Sequence, residues 1–113
     1  MRRGEIWTAS GGGDYAGKPR PVLIVQDDAF DETASVTVCL LTTHALDAPL
    51  VRIRIEPTAQ NGLRETCFAM ADKITTVPRA RLGEPVGALA PAAMAEIGRA
   101  VMVFLGLAGT VRG

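Results

Sequence analysis

The sequence predicts a mainly β domain: a small barrel or sandwich of short strands that ends in one helix. Three observations predict it. Short apolar runs recur between residues 5 and 74, separated by glycine, proline and acidic turns. One run, "VRIRIE" at 51–56, alternates strictly, with Val51, Ile53 and Ile55 on one side and Arg52, Arg54 and Glu56 on the other. That is the period of a half-buried strand. After Pro91 the period changes, and Met94, Ile97, Val101 and Phe104 recur at helical spacing. A chain of 113 residues suits one domain, 1–113, with one core.

The elements follow in order. Glu5 to Ala9 is a short strand. "GGGDYAGK" at 11–18 is a loop, with glycines for freedom and Asp14 and Lys18 for polarity. Pro21 to Gln26 is a continuous apolar run, a buried strand, and proline is tolerated at its first position. Residues 28–34 form an acidic turn. "SVTVCLLT" at 35–42 is another buried strand, and 43–49 is a loop that ends at Pro49. "QNG" at 60–62 is a turn, and "TCFAMADKI" at 66–74 is a strand that ends in polar residues. Pro91 is a good first helical residue. Glu96 and Arg99 can pair on the outer face of the helix, and Gly106 and Gly109 are candidate stops. The helix closes one side of a barrel or carries a dimer contact.

Composition narrows the function. At 48% hydrophobic and 21% charged, this is a folding sequence. A formal net charge of zero argues against a general nucleic-acid coat protein, which is normally basic. The charges are segregated, however. Asp27, Asp28, Asp31 and Glu32 stand without a base, whereas 52–81 holds six arginines and lysines against Glu56, Glu65 and Asp72. A local basic patch therefore fits. Cys39 and Cys67 lie in apolar runs without a C-x-x-C spacing and read as buried free thiols. One histidine and no spaced thiols offer little for a metal, so no metal site and no cofactor are expected. No apolar signal core follows the N-terminal arginines, and no run approaches a membrane span. The expectation is a soluble, cytoplasmic chain with no membrane partner.

A few residues have chemical potential. Arg20 lies between Pro19 and Pro21, on backbone whose φ the prolines restrict. It is either a surface arginine flanking a strand or a fork held rigid for phosphate. Thr42 and Thr43 end a buried run; they either terminate the strand or donate a hydroxyl to a phosphate oxygen. Asp72 and Lys73 are either a solvated ion pair or part of the same surface. His44 is of the residue type suited to acid–base work but lies in a loop. Arg52 and Arg54 form a solvated strand face or bind backbone phosphate. These residues suggest phosphate contact without naming a substrate.

A resemblance is more specific. "RRGEIW" at 2–7, "RPVLIVQDDAF" at 20–30, "LLT" at 40–42, "DKITTVPRARLG" at 72–83 and "VGALAPAAMAEIGRAVMVFLGL" at 86–107 are similar to the MazF/PemK family of toxin endoribonucleases. The segments follow the family's order over nearly the whole chain. The resemblance implies an SH3-like barrel of twisted antiparallel strands with a C-terminal helix, assembled as a homodimer. It implies cleavage of single-stranded RNA without metal, and inhibition by a cognate antitoxin laid across the RNA groove. It implies that Arg20 and Thr42 are catalytic, with Thr43 a one-residue alternative and Asp14 and Asp72 in support. RNA contact is expected at Tyr15, Lys18, Arg52, Arg54 and Lys73.

Three departures from the family pattern stand out. The first loop is short, so Asp14 only roughly replaces a family glutamate. Thr75 occupies the place of a usual arginine. Met70 stands where the Kid/PemK branch has an assisting arginine. The rival of another class is a CcdB-like toxin, which shares the barrel and poisons DNA gyrase without cutting nucleic acid. The pair Arg20 and Thr42 has no chemical purpose in such a protein.

Overall fold

The computed structural model describes residues 1–10 and 18–107. Six strands form one antiparallel sheet: β1 (Glu5–Ala9), β2 (Arg20–Ile24), β3 (Ser35–Thr42), β4 (Arg52–Ile55), β5 (Cys67–Pro78) and β6 (Leu82–Ala88). Their spatial order is β4-β5-β3-β2-β1-β6. One helix, α1 (Pro91–Phe104), follows, with Pro91 in its first turn as the sequence predicts.

Alternation along the strands separates two cores. Ile6, Leu23, Cys39, Leu41, Ile53, Ile55 and Ala69 face one side, where Met94, Ile97 and Ala100 of α1 cover them. Val22, Ile24, Val36 and Val38 face the other side and pack with Ala9 and Leu82. A strand buried on both faces reads as a continuous apolar run, which explains "VLI" in β2 and "VTVCLL" in β3. Burial pushes the Cys39 thiol up to about 12, and Cys67 is raised for the same reason. Both thiols are buried and free.

The sheet closes through a turn rather than a ladder. The segment after β4 folds back so that Gln60 accepts a hydrogen bond from Ala88 N at 3.0 Å. A Cβ on Gly87 would lie 2.4 Å from the Asn61 carbonyl carbon, so only glycine allows this approach. Asn61 is buried, and its side chain holds the turn. Its amide donates to Glu56 O, and its oxygen accepts from Thr58 N and Leu63 N. Asn61→Ala is expected to leave these backbone groups without partners and to cost about 2–3 kcal/mol. Denaturant unfolding checks this; an unchanged midpoint would contradict it.

Several sequence expectations need correction. β5 runs on to Pro78 instead of ending at Ile74, because the β-branched Thr75, Thr76 and Val77 continue the ladder against Val38, Thr37 and Val36. β6 was not expected. It is an edge strand that carries Pro85 and two glycines, which weaken its signal. In α1 the third buried position is Ala100, whereas Val101 is half-buried and Phe104 is 50% exposed. Glu96 and Arg99 form no ion pair among the described residues, where such pairs join Met1 to Glu5, Arg2 to Asp28, Arg52 to Asp72 and Arg54 to Glu56. No helix among the described residues is long and apolar enough to cross a membrane.

Candidate active site

Arg20 is the first residue of β2 and is exposed; Thr42 is the last residue of β3 and is half-buried. The ladder between these strands pairs Val22 with Leu40, Leu23 with Cys39 and Ile24 with Val38. Extended by two residues, the same register sets Arg20 opposite Thr42. Alternation sends both side chains to the face that α1 does not cover, since Leu23 and Leu41 point toward the helix. Thr42 Oγ1 accepts from the His44 backbone N–H at 3.1 Å, which ties the loop to the strand end. The hydroxyl keeps its own proton to donate. His44 itself is exposed. Thr43 is one step out of phase. It lines a separate groove of about 600 Å³ with Pro19, Pro21 and Gly62.

The row continues across the sheet. Thr42 pairs with Phe68 on β5, and Phe68 pairs with Arg54 on β4. Cross-strand partners share a face. Four adjacent strands thus present Arg20, Thr42, Phe68 and Arg54 in one line, about 14 Å long at the usual strand spacing.

A wide irregularity in β5 builds the neighbouring row. Cys39 pairs with Ile74 and Leu41 with Ala69, so two steps on β3 face five on β5. The extra residues bring Asp72 against Arg52, whose cross-strand partner is Met70. Arg52 Nε and Nη2 reach the two Asp72 carboxylate oxygens at 2.9 and 3.0 Å. The side chains are only 10% and 24% exposed. The Arg52 fork holds the Asp72 carboxyl below its ordinary range, and Asp72 raises Arg52 in turn. Asp72 is therefore not paired with Lys73, as the solvated-pair reading had it. Lys73 is exposed beside it.

The Asp72 shift has a stability consequence. A depressed folded pKa contributes stability that is present above the unfolded carboxyl value, about 4, and is lost as pH falls through the folded value. Asp72→Asn is expected to destabilise the protein at neutral pH, with the difference from the wild type shrinking below about pH 4. Unfolding midpoints across that range check it; a pH-independent difference would contradict the pairing.

The remaining site residues are placed unevenly. Arg54 is exposed and pairs with Glu56, whose carboxyl it lowers. Arg79, counted with the basic segment, instead donates to the carbonyls of Asp31 and Thr33 and fixes the acidic turn. Lys18 is exposed near the start of β2. Asp14 and Tyr15 lie outside the described residues.

Comparison with known proteins shows the family of the chain. Residues 2–105 match the family described as the PemK-like, MazF-like toxin of type II toxin–antitoxin systems. The chain belongs to that family. It is 60% identical to a probable endoribonuclease MazF of Mycolicibacterium smegmatis, over 96% of this chain and 100% of the relative. It is 29% identical to endoribonuclease MazF9 of Mycobacterium tuberculosis, over 95% and 98% of the two chains. Among solved structures, a mycobacterial endoribonuclease in complex with its cognate antitoxin superposes with a TM-score of 0.78 at 30% identity, covering 95% of this chain and 96% of that one. The Mycobacterium tuberculosis toxin MazF-mt6 superposes with a TM-score of 0.77 at 26% identity, over 91% and 97%. The mainly β fold with one C-terminal helix is thus the fold of MazF toxins. Two of the departures from the family pattern can now be placed. Met70 is buried, with Arg52 directly across from it, and Thr75 is exposed opposite Val38.

Proposed function

We propose that this MazF-family toxin is an endoribonuclease that cuts single-stranded RNA at the Arg20–Thr42 strand ends. The register that sets a proline-flanked arginine opposite a threonine hydroxyl carries the reading. RNA brings its own nucleophile, the 2′-OH. Its oxygen attacks phosphorus, the P–O5′ bond breaks, and a 2′,3′-cyclic phosphate and a 5′-OH result. The nucleophile's proton passes to a base, and the leaving 5′-oxygen takes one up. A guanidinium is a poor base. The role of Arg20 is to hold the equatorial oxygens as negative charge develops. Thr42 donates to a non-bridging oxygen. Asp14, six residues before Arg20 in the sequence, is the candidate base. Lys18 and Lys73 add positive charge for the strand, whereas Arg52 supports Asp72.

The 60% identity to a probable endoribonuclease MazF supports the activity. The similarity to an endoribonuclease solved with its cognate antitoxin supports a protein inhibitor, which we place on the same uncovered face. The setting is the cytoplasm, where mRNA is read. Incubation with labelled single-stranded RNA, with and without the cognate antitoxin, tests the reading. Cutting that the antitoxin suppresses is expected. An RNA left whole by active, folded protein would favour the gyrase-binding rival.

We further propose that the toxin is a homodimer. Met102, Val103, Phe104, Leu105 and Leu107 are 45–65% exposed at the end of α1. They adjoin an apolar groove of about 500 Å³ lined by Ile74, Val101 and Met102. A patch of this kind marks an interaction site, and a second copy is the occupant that the family resemblance supplies. Sedimentation at micromolar concentration is expected to show a dimer that Phe104→Glu disperses. A wild-type chain that sediments only as a monomer would contradict it.

A further inference from the structure

The proposed centre explains Arg20 and Thr42, but it does not explain the aromatic ring beside them. Phe68 is half-buried and yet belongs to neither apolar cluster. Its neighbours along β5, Cys67 and Ala69, are buried; Ala69 lies in the helix-side core, and Cys67 pairs with Ile55 of that core. The ring therefore stands on the uncovered face, between Thr42 on one strand and Arg54 on the other. Directly opposed residues lie about 5 Å apart at their Cα atoms. An apolar ring held between a hydroxyl and a guanidinium serves no core. An aromatic face next to a cation is, however, how proteins hold single-stranded nucleic acid, since every base has a π-face to stack. Sequence recognition in RNA likewise works on unstacked bases laid against aromatic rings.

Resting on the catalytic reading above, we infer that Phe68 is the stacking platform for a nucleobase flanking the scissile phosphate, and that Arg54 takes the next phosphate. One strand spacing separates Phe68 from Thr42, which fits the base adjacent to the cut and not a distant one. The Arg54–Glu56 pair does not block this role. Both side chains are more than half exposed, and exposed pairs of this kind hold weakly. Glu56 also accepts from Thr66 Oγ1 at 3.2 Å, so it keeps a partner when Arg54 turns to a phosphate. The platform gives the toxin affinity and local sequence preference through stacking, while Arg20 and Thr42 act on the phosphate.

The test uses the full chain and a short single-stranded RNA that carries a cut site mapped on a long transcript. The ribose at the cut is 2′-deoxy, so binding is read without cleavage. Phe68→Leu keeps apolar volume but loses the π-face, and is expected to weaken binding about 10–100-fold. Phe68→Trp is expected to bind at least as well as the wild type. Glu56→Gln, which releases Arg54, is expected to tighten binding. A probe made abasic at one flanking nucleotide is expected to lose the same factor with the wild type and to lose nothing more with Phe68→Leu. On the cleavable RNA, Phe68→Leu raises KM and leaves kcat nearly unchanged. The inference is overturned if Phe68→Leu binds the intact probe as the wild type does, or if neither flanking abasic position weakens the wild type. Arg20→Ala separates the two proposals. A chain that dies with Arg20→Ala but ignores Phe68→Leu loses only the platform; one that still cuts with Arg20→Ala loses the catalytic centre.

Discussion

Arg20→Ala is expected to lower the rate of RNA cleavage by about 10²–10³-fold, the scale for losing one preorganised charge-stabilising donor. The expectation follows from how the chain holds this side chain. Pro19 and Pro21 restrict the backbone on both sides, and β2 begins at Arg20, so its Cα is fixed by the ladder to Ala9. A guanidinium in that position meets developing charge with little reorganisation. Arg20→Lys is expected to recover little, because a point charge lacks the planar fork that matches two phosphate oxygens. Thr42→Val should cost less, since it removes one neutral hydrogen bond. Single-turnover rates at saturating protein check all three. An Arg20→Ala chain that cuts at the wild-type rate would contradict the assignment.

The second large effect lies in the substrate. Replacing the 2′-OH at the cut site with hydrogen is expected to abolish cleavage and to leave binding largely intact. In the proposed mechanism the hydroxyl is the nucleophile, and its loss removes the bond-forming atom, not a contact. In the proposed site binding rests on Arg20, Lys18, Lys73 and the row across the sheet, none of which needs that hydroxyl. Cleavage of the 2′-deoxy substrate at a comparable rate would require an external nucleophile and would overturn the mechanism.

Much of the fold was legible in the sequence for local reasons. β1 and β3 begin and end where the apolar runs do. The alternation of "VRIRIE" places Ile53 and Ile55 inside and Arg54 outside, as expected. What escaped depends on partners distant in sequence. β6 has no local signature because an edge strand tolerates Pro85 and glycine. Arg52 and Asp72 are both visible as charges, but their pairing requires the irregularity in β5, which no spacing predicts. Phe104 completes a helical stripe in the sequence and still lies outside the core, because the buried face of α1 ends at Ala100.

The site divides in the same way. Arg20 was conspicuous because prolines flank it, and Thr42 because it ends a strand. That the two face each other, and that Thr43 does not share their face, follows only from the register of β2 on β3. Phe68 carried no signal at all within "TCFAMADKI". A core ring and a half-buried ring on the face that α1 does not cover look alike in a strand of that composition.

In the proposed mechanism Arg20, opposite Thr42, drives attack by the RNA's own 2′-OH with positive charge supplied by the protein. The most direct test is the chemistry of the product ends after cleavage of single-stranded RNA in excess EDTA. Continued cutting is expected, with 2′,3′-cyclic phosphate on the upstream fragment and 5′-OH on the downstream one. Cutting that stops in EDTA and returns with magnesium, or products that end in 3′-OH and 5′-phosphate, would contradict it.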